Sequence, residues 1–299
     1  MNLSLVESLL ATYRRTFREE HYGGIWKGIF DRFQRPLHEV FMEGSAGEAE
    51  AILRNPASNY LHYGFENTFK DYKGGSSRDL SPLHRLSEAL GTERLQNPEH
   101  LSPQMKVRRL WRKLDSAEAI LLRIDRLLGP VDFPNPFPGE TGTITGRGID
   151  SDRAIHAVYQ ASLLKGHVLE IGGGLGRTAY YAQRFGIADY TIVDLPFSGI
   201  SQGYFLGNVL GTHAIKLQSP DEFFASADTY DLVLNVDSMT ELSIEAAQKY
   251  ASAVMDRAKR FISINHESNR FAVRDLFGKP QTRHPYWLRA GYVEELFTF

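Results

Sequence analysis

The run Val168-Leu169-Glu170-Ile171-Gly172-Gly173-Gly174-Leu175-Gly176 constrains the fold of this chain more than any other segment. Its first residues read as a short strand. The glycines that follow let the backbone turn sharply and approach a ligand that a side chain would push away. Arg177-Thr178-Ala179-Tyr180-Tyr181 then begins a helix that stops at Gly186, as glycine commonly ends one. Strand, glycine loop and helix together open a βαβ unit. Strand-like runs fall at residues 167–171, 190–195, 214–218, 230–236, 261–266 and 292–299, with helical patterns between the early ones. That alternation predicts an α/β, Rossmann-like domain: a mostly parallel, doubly wound sheet with helices on both faces.

The first half differs. Leu3, Val6, Leu9, Leu10, Tyr13 and Phe17 recur at three- and four-residue steps, and Ser4 with Glu7 is spaced for a capping box. Leu110, Leu114, Ala117, Leu121, Ile124 and Leu128 form a second stripe that ends at Gly129-Pro130. That stripe suits packing in a helical bundle, or else a homodimer seam, for which it is short. Beyond it Pro130, Pro134, Pro136 and Pro138 give way to Gly139, Gly142, Gly146 and Gly148, the composition of a linker or of a loop folding over a site. The expected organisation is a helical lid, substrate or oligomerisation domain over residues 1–130, a linker over 131–148 and a ligand-binding domain over 149–299.

Composition narrows the chemistry. The absence of cysteine from all 299 residues excludes disulfides, thiolate zinc sites and cysteine nucleophiles. With 34 basic and 36 acidic residues the formal charge is −2, too balanced to favour nucleic acid or an anionic membrane as partner. No apolar run approaches the ~20 residues of a membrane span. A cytoplasmic protein with small-molecule partners is expected.

In open α/β sheets ligands bind beyond the carboxyl ends of the strands. At the first strand end, Gly174-x-Gly176-x-x-Ala179 satisfies the dinucleotide fingerprint. Glu170 argues against a dinucleotide, because a carboxylate there would repel a pyrophosphate and, being costly to bury alone, suits a ligand carrying positive charge. S-adenosylmethionine, with an ammonium, a sulfonium and no phosphate, meets that requirement. Asp194 closes the second strand at the distance where a carboxylate meets ribose hydroxyls. After the third, Asp221 and Glu222 could take an adenine amino group and Phe223 could cover the ring, although a capped helix start explains them equally. The fourth strand runs through Asn235-Val236-Asp237-Ser238 to Glu241, and the fifth through Asn265-His266-Glu267, so both bring polar groups to one cleft.

The order Glu-x-Gly-x-Gly-x-Gly, Asp194, and Asn235-x-Asp237-Ser238-x-x-Glu241 resembles class I S-adenosylmethionine-dependent methyltransferases over about residues 145–299. The last motif, with Asn265-His266-Glu267 and Arg283-x-Pro285-x-Trp287-Leu288-x-x-x-Tyr292, is similar to the sugar O-methyltransferase family of glycan and glycosylated-metabolite pathways. The resemblance implies that Glu170, Gly172, Gly173 and Gly174 line the methionine end of the cofactor. It places Asp194 and Leu195 at the ribose, and Asn235, Val236 and Asp237 near the methyl group.

A hydroxyl acceptor needs a base. His266 is the first candidate, since an ordinary imidazole pKa of ~6.5 leaves it unprotonated at neutral pH. Glu267 or Asp237 would orient or replace it. Asp237, Glu241 and Glu267 could instead hold Mg²⁺ against a vicinal diol, though spacing alone assigns no metal ligand. For the acceptor, Glu241, Arg147, Tyr63, His284 and Trp287 are the candidate binding residues, with Tyr60, Phe65 and Tyr286 as further aromatic surface; core packing accounts for most of these rings as well. The expected activity is O-methylation of a sugar in a glycan, nucleotide-sugar or glycosylated metabolite. Rival expectations are methylation of another small molecule at O or N, a nicotinamide-dependent oxidoreductase, and a catalytically silent cofactor-binding subunit.

Overall fold

The computed structural model describes residues 2–93, 115–211 and 215–299. The amino-terminal part is helical, with α1 (Leu3–Thr16), α2 (Gly24–Ile29), α3 (Arg35–Glu43), α4 (Ala46–Arg54), α5 (Ser81–Ala89) and α6 (Ala117–Leu128). The cap of α1 is Asn2, whose side chain accepts the Leu5 N–H. The expected Ser4 capping box does not form, because asparagine caps as well as serine and lies where the helix begins. In the second predicted stripe, residues 110 and 114 fall outside the described residues, while Leu121 and Ile124 are buried, as is Ile120 beside them. Phe30–Gln34, between α2 and α3, is a π turn. Pro36 lacks an N–H and its ring would strike the carbonyl four residues earlier in a regular helix, so the wider turn removes the clash.

The remainder runs β1 (Thr143–Thr145), β2 (Gly148–Asp150), α7 (Asp152–Ser162), β3 (Val168–Ile171), α8 (Arg177–Arg184), β4 (Tyr190–Val193) and α9 (Pro196–Val209). It continues with β5 (Lys216–Gln218), α10 (Pro220–Ala225), β6 (Leu232–Val236), α11 (Ile244–Arg257), β7 (Arg260–His266), α12 (Arg274–Phe277), β8 (Thr282–Pro285) and β9 (Tyr292–Thr298). A seven-stranded sheet has the order β5-β4-β3-β6-β7-β9-β8. Neighbours from β5 to β7 are parallel, and β9 runs antiparallel to both β7 and β8. The chain leaves β3 toward β4 and β5, then returns to β6 on the other side. This reversal opens a crevice above the carboxyl ends of β3 and β6. The architecture is the Rossmann-like α/β fold expected from the sequence.

Two elements differ from expectation. β8 is an exposed edge strand of polar residues ending in Pro285, so it carries no apolar alternation to announce it, and an edge tolerates proline. Residues 131–148, expected as a linker, hold β1 and bury Val131, Phe133 and Phe137. The apolar residues between those prolines have found a core.

Close helix contact joins the two halves. On α9, a Cβ at Gly203 would lie 2.3 Å from Leu9 Cδ2, and one at Gly207 would lie 2.7 Å from Leu5 Cδ2, so only glycine lets α1 approach this near. One cluster of buried apolar side chains runs from α1 through α6 into α7, α8 and α9 and on to the sheet. A second covers the opposite face beneath α10 and α11. Among the described residues no helix is long and apolar enough to cross a membrane.

Candidate active site

A cavity of about 240 Å³ opens above the carboxyl ends of β3, β4 and β6. A smaller lobe of about 80 Å³ lies beside it, and Phe65, Arg153, Gly172, Gly174 and Val236 border both. The glycine loop forms the shared wall. Gly172 has φ +75°, and a Cβ there would sit 2.3 Å from Ser238 Oγ. A Cβ at Gly173 would meet Ile192 Cγ2 at 2.7 Å and Glu170 Oε2 at 3.1 Å. The loop is therefore as close to its supports as backbone allows, which leaves its outer side open.

Glu170 lies buried under this loop and borders the smaller lobe. Burial pushes its carboxyl up to about 7. The expectation that it must await a cationic ligand is corrected in part, since Tyr190 OH donates to Glu170 Oε2 at 2.8 Å. Arg153 of α7 faces the same loop and has no hydrogen bond or ion pair among the described residues. The neighbouring Arg177 is already neutralised: Glu66 and Glu140 each hold it at 2.6 Å. Asp194 lines the cavity, accepts from Gln202 Nε2 at 2.7 Å and is pushed by burial up to about 6. Leu195 and Val236 line it as well.

Asn235 does not reach the cavity. It is fully buried, donates to Ile171 O at 2.9 Å and accepts from Asn265 Nδ2 at 2.9 Å, tying together the ends of β3, β6 and β7. Of the third-strand trio, Asp221 pairs with His21 at 2.9 Å, while Glu222 forms the capping box of α10 and pairs with Arg15. Phe223 is in the core against Tyr250, and the ring facing the cavity is Phe224, with Lys249 Nζ 3.9 Å above it. Adjacent helical residues point about 100° apart, and which of two phenylalanines faces the ligand depends on where α10 docks.

At the far end Asp237 takes a left-handed φ of +54° and lines the cavity. It accepts from Tyr292 OH at 2.7 Å and from Arg289 Nη1 at 2.9 Å, with His266 Nε2 at 3.7 Å. The other ring nitrogen, His266 Nδ1, accepts the Ser268 N–H, which leaves the Nε2 hydrogen facing Asp237. His266 is not part of the cavity wall. Glu267 is drawn away by Arg274 and Arg283, each at 2.7 Å, which hold its carboxyl below the usual range. It neither orients His266 nor joins Asp237 and Glu241 in a three-carboxylate metal site.

Glu241 faces the cavity opposite Asp237, and Trp26 Nε1 donates to its Oε2 at 3.1 Å. Of the other expected acceptor residues Phe65 lines both lobes and Tyr286 the smaller one, while Arg147, Tyr63, His284, Trp287 and Tyr60 reach neither. Arg147 is clamped by Glu118 and Asp125, and Tyr63 packs on Phe33. His284 lies near Glu294 on the edge strand, and Trp287 is 48% exposed. Beside Phe65, the places of the absent residues are taken by Glu20, His21 and Trp26 from the amino-terminal part and by Arg153 and Arg289. Phe65 lay within an aromatic run noted in the sequence; no local signal marks the others.

The chain matches no family model and no curated relative. Solved structures with which it shares a loose likeness include the ribosomal protein L11 methylase of Lactobacillus delbrueckii subsp. bulgaricus, at 12% identity and a TM-score of 0.39, covering 56% of this chain and 88% of that one. Another is the N-methyltransferase NodS of Bradyrhizobium japonicum WM9 in complex with S-adenosyl-L-homocysteine, at 10% identity and a TM-score of 0.39, covering 49% of this chain and 85% of that one.

Proposed function

We propose that this chain is an S-adenosylmethionine-dependent methyltransferase with a small-molecule acceptor, and that the acceptor group is a sugar hydroxyl. The observation that carries this is one continuous wall of groups matching the donor's parts. Glu170 and Arg153, which is unpaired among the described residues, flank the glycine loop, where an amino-acid ammonium and carboxylate need opposite charges. Asp194 follows at the second strand end, where ribose hydroxyls can donate to it. Phe224, Lys249 and Tyr250 line the end suited to a flat base. No pyrophosphate is accommodated beside the carboxyls of Glu170 and Asp194 without repulsion.

When bound, the donor supplies a methyl carbon made electrophilic by positive sulfur. The protein aligns the acceptor and removes its proton. Trp26 and Phe65 offer ring faces to the C–H surface of a sugar, while Asp237 and Glu241 offer acceptors for its hydroxyls. The sugar assignment is further supported by the motifs from Asn235 to Glu241 and from Arg283 to Tyr292.

Calorimetric titration with S-adenosylhomocysteine tests the donor, and absence of binding would sink the proposal. Incubation with nucleotide-sugars and glycosides, read by mass spectrometry for the gain of one CH₂, tests the acceptor. A donor-binding protein that methylates only non-sugar amines would overturn the sugar assignment alone.

A further inference from the structure

We propose that Glu241 takes the acceptor's proton, with Trp26 as its positioning residue, and that Glu241 gives up its own proton when the positively charged donor binds. The proposal rests on the methyltransferase assignment.

Three carboxyl or imidazole groups gather at this end of the cavity, and their surroundings separate them. Asp237 is held by Tyr292 on Oδ1 and Arg289 on Oδ2, so a donor occupies each of its oxygens. His266 has one nitrogen accepting an amide N–H and directs its other toward Asp237, so neither is presented to the cavity. Glu241 has a single side-chain donor, Trp26 Nε1, on Oε2. Its Oε1 has no hydrogen-bond partner among the described residues, and the side chain lines the cavity.

The location of Glu241 is imposed by the amino-terminal part. It ends a 3₁₀ turn, Met239–Glu241, just after β6. Gly24 at the start of α2 has φ +57°, and a Cβ there would sit 2.1 Å from Glu241 O. Glycine at this point lets α2 rest on the turn, and that contact carries Trp26 to the carboxyl. The groups facing Glu241 are Trp26 from α2, Asp237 at the end of β6, Arg153 of α7 and Arg289 before β9, with Glu20 and His21 on the same cavity wall and His266 beyond Asp237.

Burial first, and the Asp237 charge second, push the Glu241 carboxyl up to about 8, against the opposing influences of Trp26, Arg153 and Arg289. Glu241 is therefore mostly protonated at neutral pH before the donor arrives. A positive charge within about 4–6 Å lowers a carboxyl pKa by about 1–3 units; a sulfonium bound at that range would convert Glu241 to the carboxylate that the reaction needs. In the transfer, the acceptor's lone pair forms the new bond to the methyl carbon and the carbon–sulfur pair leaves on sulfur. The acceptor's proton passes to Glu241, which ends neutral and later loses that proton to water.

The test is the proton balance of binding, measured by titration calorimetry in buffers of different ionisation enthalpy. S-adenosylmethionine and S-adenosylhomocysteine share every group except the charged methyl, so Glu170 and Arg153 contribute equally to both. At about pH 7.5 the charged ligand should release roughly half to three quarters of a proton more than the neutral one. Glu241→Gln should abolish that difference while still binding S-adenosylhomocysteine, which also establishes that the variant is folded. Trp26→Phe removes a bond that lowers the pKa, so it should move the pH profile of proton release upward. Equal release by the two ligands in the unaltered protein, or a difference that survives Glu241→Gln, overturns the proposal with the methyltransferase assignment intact. Failure of both ligands to bind overturns both.

Discussion

Replacing Arg177 by methionine should expose how the donor site is held together. Its guanidinium, with 6% of the side chain exposed, bridges Glu66 and Glu140, whose side chains are each 2% exposed. Glu66 follows the aromatic run of the amino-terminal part, Glu140 precedes β1, and Arg177 starts α8 directly after the glycine loop. One side chain thus pins three segments around the loop. Removing one partner of a buried ion pair costs about 3–5 kcal/mol, because the remaining charge is left uncompensated. Protonation limits the loss. Near pH 8 each carboxyl must be protonated some 3–4 units above an ordinary pKa of ~4.3, at about 1.4 kcal/mol per unit, so little is recovered. Near pH 5 that cost falls to about 1 kcal/mol per carboxyl.

The sign follows from linkage. In the variant both carboxyls have folded pKa values raised by burial, so the deficit is small in acid and grows as pH rises through the unfolded value. Denaturant unfolding should therefore show Arg177→Met less stable by about 3–5 kcal/mol near pH 8 and by about 2 kcal/mol near pH 5. Adding Glu66→Gln and Glu140→Gln should restore most of the loss near pH 8. A deficit under about 1 kcal/mol, or one that ignores pH, would refute the reasoning.

Other outcomes follow from the same geometry. Arg153→Ala should weaken S-adenosylhomocysteine binding about 10- to 100-fold, the value of a charge-assisted contact, yet leave methylthioadenosine, which lacks the amino-acid end, within about 2-fold; equal effects on both would remove Arg153 from the carboxylate. Because burial raises Glu170 to about 7, this carboxyl destabilises the free protein increasingly as pH rises from ~4.3 to ~7. Glu170→Gln should therefore raise the melting temperature near pH 8 by about 10 °C, from some 2–3 units at ~1.4 kcal/mol each and ~2–4 °C per kcal/mol, while reducing donor affinity; a lower melting temperature contradicts the assignment. Gly172→Ala combines a left-handed φ with a 2.3 Å approach to Ser238, and should cost about 1–3 kcal/mol of stability along with donor binding; relief of the binding defect by Ser238→Gly would confirm the contact as its cause.

Much of the fold was legible because it depends on local chemistry. The glycine loop and the helix stop at Gly186 each follow from the backbone freedom of glycine. Strand ends carrying Glu170, Asp194 and Asp237 could be located because apolar runs stop abruptly at polar groups. β8 escaped notice for the opposite reason, since an exposed edge strand buries no side and needs no apolar period.

What the tertiary structure alone decided is which polar groups remain free. In sequence His266 is the first candidate base, Asp237 and Glu267 its helpers or substitutes, and Glu241 an acceptor-binding residue. Folding brings Arg283 and Arg274 to Glu267, brings Tyr292 and Arg289 to Asp237, and leaves Glu241, among the described residues, with one bond to Trp26 and an open oxygen. Trp26 and Glu241 are separated by 215 positions, and Arg177 and Glu66 by 111. A residue's local pattern records its backbone preference and its period, which are short-range properties. Burial, charge pairing and access to a cavity are set by partners far along the chain, and those determine the chemistry of each group.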